Sequence, residues 1–148
     1  MSDAIKHECG IALIRLLKPL DYYVEKYRTP AYGLNKLYLL MEKQHNRGQD
    51  GAGAAVIKLD PTPGTPFINR YRSVKQQPIV DIFDNVFSHF PKNRKPLDNP
   101  KAESDWYKAN VPFVGELLLG HLRYGTYGKN NDSYCHPFLR ENNWMTRN

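Results

Sequence analysis

Cysteine is scarce in this sequence: Cys9 and Cys135 are the only two among 148 residues. Two thiols so far apart make neither a disulfide framework nor the close pair of a CxxC metal knuckle, so a reducing compartment is expected. Long apolar runs are missing too. None approaches the roughly 18 residues that a membrane-spanning helix needs, and no membrane partner is expected. Met1–Glu8 has no apolar core for a secretory signal, because Asp3, Lys6, His7 and Glu8 fall within it, which predicts a cytoplasmic protein. Nor is charge of one sign concentrated. The net charge of +6 is spread as +2 over residues 1–60, +3 over 61–112 and +1 over 113–148, which describes a solvated surface and gives no nucleic-acid partner. One local interleaving, Arg70-Tyr71-Arg72 with Lys75, is suited to a single strand of nucleic acid. It defines a rival reading as a non-catalytic basic binding module, whose mark would be a steeply salt-dependent affinity.

What is present suffices for one core. With 41% hydrophobic and 24% charged residues, a chain of this length buries roughly 68–70% of its unfolded surface. Cys9 to Arg15 is apolar on both faces, as a strand buried inside a layered sheet is. Pro19 suits a helix N1 position before residues 21–27. Leu34, Leu37, Tyr38 and Met41 predict an amphipathic helix ending near Gln44. A polar turn, His45 to Asp50, leads to a strand at 51–57 whose small residues permit close backbone approach. Pro61 to Pro66 makes a turn, residues 67–73 a strand, and Pro78 opens a helix striped with Ile79, Ile82, Phe83, Val86, Phe87 and Phe90. That stripe reads as core. Residues 91–112, with four prolines and little periodicity, read as a surface connection or partly ordered insert without chemistry. Residues 116–124 form another buried strand, closed by the turn 125–128.

The residue types leave two readings for Cys9, a small packing hydrophobe or a nucleophile. The second requires removal of Met1–Glu8. Cys9 would then carry an α-amino group of pKa about 7.7–8.0 beside its own thiol, supplying nucleophile and base from one residue. His121, inside an apolar strand, reads as a satisfied core histidine. Cys135 and His136 lack the further ligands of a metal site.

Three segments, Cys9-Gly10-Ile11-Ala12, His45 to Gly53 (HNRGQDGAG) and Gly120 to Thr126 (GHLRYGT), resemble in order and context the class II, N-terminal-nucleophile glutamine amidotransferases. The match covers residues 9–58 and 115–139, and the stretch at about 60–112 aligns poorly. The resemblance implies an α+β fold, a four-layer αββα sandwich of two antiparallel sheets with helices outside, of which residues 9–148 are the N-terminal part behind a propeptide, 1–8. It implies that Cys9 attacks the carboxamide of glutamine and that Arg123, Tyr124 and Thr126 bind that substrate. A guanidinium fork suits the substrate carboxylate. Arg47 is assigned to orienting its loop. Gln49 and Tyr124 point to the branch that passes ammonia to phosphoribosyl pyrophosphate in purine synthesis. The branch that makes glucosamine 6-phosphate is the alternative. The resemblance further implies a homo-oligomeric enzyme, with no cofactor in these residues and magnesium in a separate phosphoribosyltransferase domain. The family's oxyanion-hole asparagine and glycine, and its aspartate for the substrate amine, are expected beyond Asn148.

Overall fold

The computed structural model describes residues 8–125 and 131–140. These form one four-stranded antiparallel sheet with four α-helices. In chain order the elements are β1 (Gly10–Arg15), α1 (Leu20–Tyr27), α2 (Tyr32–Lys43), β2 (Gly51–Ile57), β3 (Ile68–Ser73), α3 (Pro78–Ser88), α4 (Pro100–Asn110) and β4 (Leu117–Arg123). The strands lie in the order β1-β4-β2-β3, so the last strand in sequence is central. No helix among the described residues is long and apolar enough to cross a membrane.

Alternation along the strands sorts the two faces. One face, with Ala12, Leu118, Leu122, Ala52, Ala54 and Val56, is buried under Leu34, Leu37 and Met41 of α2 and Ile79, Ile82, Phe83 and Val86 of α3. The stripe read from Pro78 onward is therefore core, except that Phe87 is exposed and Phe90 half-buried. The opposite face meets the segment 131–140, which crosses β2. A Cβ on Gly53 would lie 1.9 Å from the His136 carbonyl oxygen, so only glycine admits that crossing. Arg70 Nη1 donates to the Pro137 carbonyl (3.2 Å), and Arg72 Nη1 to those of Ser133 (3.4 Å) and Cys135 (3.1 Å).

Two sequence expectations are corrected. β1 is not buried on both faces: it is an edge strand, and Ile11 and Leu13 are 67% and 64% exposed. Its composition is that of an interior strand, but the described cover on the second face stops over β4 and leaves Ile11 and Leu13 exposed. Residues 91–112 are also not an irregular connection, since they contain α4. Asn99 Oδ1 accepts from Ala102 N–H (3.0 Å) as N-cap, and Pro100 opens the helix. This helix has no apolar stripe: its buried residues are Glu103 and Ser104, and the side chains it packs against the Leu16, Leu20 and Val111 cluster are the adjacent rings of Trp106 and Tyr107. Glu103 takes two bonds from Arg94 (2.8 and 2.7 Å) and one from Leu97 N–H (2.9 Å), and Arg94 lies 3.8 Å over the Trp106 ring. Lys58 is buried beneath the helix end, donating to the Lys108 and Val111 carbonyls (2.6 and 2.9 Å), and burial foremost pulls its pKa down.

The Arg94 hydrogen bonds hold the Glu103 carboxyl below its usual pKa. Glu103→Gln keeps the shape but removes the charge of the buried carboxylate that pairs with a half-buried guanidinium, and is expected to destabilise the fold by about 1–3 kcal/mol. A fall in the urea midpoint would show it, and an unchanged midpoint would make the pair ornamental.

Candidate functional site

Cys9 stands one residue before β1, and the β1–β4 register, with Gly10 opposite Leu122, carries it on to a place opposite Arg123. Gly51 flanks Arg123 on its other side. Cys9 is exposed. The Tyr124 N–H donates to Cys9 Sγ at 3.4 Å, and the thiol makes a longer contact, 3.9 Å, to the Tyr124 carbonyl.

The loop between α2 and β2 closes on the same strand end. A 3₁₀ turn, His45–Arg47, brings the chain to Gly48, where a Cβ would lie 2.7 Å from the Leu122 and Arg123 carbonyl carbons. Only a residue without a side chain lets the loop rest on that backbone. Asp50 N–H then donates to the Arg123 carbonyl (3.1 Å), and Asp50 Oδ2 accepts from Gly125 N–H (2.7 Å). The three segments singled out in the sequence thus meet at one end of β1 and β4. Arg47, expected to orient this loop, is exposed and takes part through its backbone, whose N–H bonds the Gln44 carbonyl (2.8 Å). The fastening comes from Gly48 and Asp50.

Arg123 is buried, with its guanidinium carbon 5.6 Å from the Tyr134 ring centre. Two residues along the same face lies His121, also buried, its ring 4.9 Å from that of His136. Burial first, and the nearby His136 and Arg123 charges next, lower its pKa to about 4. The expectation of a satisfied core histidine is corrected, for among the described residues His121 Nδ1 has no hydrogen-bond partner. Cys135 is buried against the Ser73 carbonyl, and burial pushes its thiol pKa up. Among the described residues no three His, Cys, Asp or Glu side chains group closely enough to hold a metal ion.

Of the expected substrate-binding residues, Arg123 and Tyr124 sit beside Cys9, while Thr126 lies outside the described residues. Arg70 and Arg72 hold the chain's own carbonyls and Lys75 pairs with Asp81. Those contacts give the basic stretch an internal use. Asp50 and the Tyr134–Cys135 cover over Arg123 received no role from the sequence. The signal for Asp50 was its place in a glycine-flanked turn, and for the cover, the glycines of β2, which announce a close backbone without naming it. The chain matches no family model, and no curated protein and no solved structure matches it.

Proposed function

We propose that this chain is the glutamine-hydrolysing part of an amidophosphoribosyltransferase. The observation that carries the reading is the convergence of the three motif segments on an exposed Cys9, with the Tyr124 N–H at 3.4 Å from its sulfur and Arg123 opposite it in the strand register. In the proposed reaction, Met1–Glu8 is removed and the new α-amino group takes the thiol proton. The sulfur attacks the carboxamide carbon of glutamine. Collapse of the tetrahedral intermediate expels ammonia, which leaves with that proton, and water then hydrolyses the glutamyl thioester to glutamate, restoring the thiol. Arg123 receives the substrate carboxylate. By this reading a second sheet covers the face bearing Ile11 and Leu13 to complete a four-layer sandwich. Ammonia transfer to phosphoribosyl pyrophosphate, with magnesium, takes place on a separate domain of a homo-oligomeric enzyme.

The test uses a glutamine analogue with a diazoketone in place of the carboxamide. In the full-length enzyme, intact mass should show a chain beginning at Cys9, and the analogue should label that residue only when glutamine is absent. Labelling indifferent to glutamine, or full activity with residues 1–8 retained, would sink the reading. Arg123→Lys should raise KM for glutamine roughly tenfold to a hundredfold, since an ammonium lacks the two-pronged fork. An unchanged KM in folded protein would leave Arg123 a structural residue.

A further inference from the structure

We propose that Asp50 is a positioning residue for the Cys9 nucleophile, holding the Tyr124 amide against the sulfur. The inference rests on the glutaminase reading. The Arg123 carbonyl and the Tyr124 N–H belong to one planar peptide unit, so they point in opposite directions. Asp50 N–H binds the carbonyl side of that unit at 3.1 Å, and the N–H side faces Cys9 Sγ at 3.4 Å. A bond to the oxygen both fixes the peptide plane and polarises the N–H opposite. The Asp50 carboxylate secures the next unit by accepting from Gly125 N–H at 2.7 Å. Tyr124 is therefore gripped on both sides by one residue. Gly125 is exposed, and among the described residues the three atoms nearest to where its Cβ would stand, at 3.4 to 3.5 Å, all belong to Asp50. With the carboxylate removed, the turn after β4 loses this anchor and the N–H can swing away from the sulfur, which then loses the donor that orients it for attack.

Two measurements on the full-length enzyme test this, the kinetics of glutamine hydrolysis and the rate of Cys9 alkylation by iodoacetamide at neutral pH, with buried Cys135 as internal reference. Asp50→Ala is expected to lower kcat and the alkylation rate by about tenfold or more, while KM for glutamine changes little. Asp50→Asn retains an oxygen acceptor for Gly125 N–H and should restore most of both rates. A wild-type alkylation rate in Asp50→Ala would overturn the proposal. So would an Asn variant as slow as Ala, which would make the charge the operative property, or a loss confined to KM. Absence of glutamine hydrolysis in the wild-type enzyme would instead defeat the glutaminase reading, and its survival in Cys9→Ala would defeat Cys9 as the nucleophile. Alkylation needs no glutamine and tests the Asp50 inference separately.

Discussion

On the proposed glutaminase reading, Cys9→Ala is expected to abolish glutamine hydrolysis while leaving synthesis from added ammonia intact. Only the thioester route needs the sulfur, and removing a member of a covalent catalytic unit in a hydrolase costs on the order of 10⁴- to 10⁶-fold in kcat. The substitution is small. Cys9 is exposed and lies before the first strand bond, so alanine there disturbs neither the β1–β4 ladder nor the core. Loss of activity should therefore come without loss of stability. Paired assays with glutamine and with ammonium as nitrogen source decide the matter. Glutamine use at the wild-type rate would return Cys9 to a packing role, and loss of both activities would mean that the residue supports the fold.

The second large effect concerns acid. His121 is buried with its pKa lowered to about 4, whereas an unfolded histidine titrates near 6.5. Between those values the unfolded chain binds a proton that the folded one refuses, so stability is complete above about pH 6.5 and falls as pH drops toward 4. The full difference is about 3 kcal/mol, of which about 2 kcal/mol should be lost by pH 5. The neighbours that face the imidazole, His136 and Arg123, add positive charge and work in the same direction. Urea midpoints at pH 7.5 and 5 measure the loss, above the range where carboxylates titrate. His121→Leu should flatten the profile between those two values. A variant profile as steep as that of the wild type would assign the acid sensitivity elsewhere.

Most of the secondary structure was legible in the sequence, because it follows from local patterns. The helical spacing of Leu34, Leu37 and Met41, and of Ile79, Ile82, Phe83 and Val86, produced α2 and α3. The runs at Cys9, Gly51 and Leu117 produced three strands. The helix α4 was hidden because its anchors are an ion pair, a cation over an indole, a buried lysine and two adjacent rings, Trp106 and Tyr107, none of which leaves an apolar period.

For the site, the sequence by itself determined the chemical kinds of group: a thiol near the start, an arginine ending a strand, and a glycine-flanked loop. Their meeting was decided only by the tertiary structure. Inserting β4 between β1 and β2 brings residue 123 opposite residues 9 and 51 at once, and strand order depends on long-range pairing that no local pattern encodes. The exposure of Ile11 and Leu13 was decided in the same way. Their apolar character is written in the sequence, but whether a strand lies at the edge or the centre of a sheet depends on what pairs beside it and what packs above it.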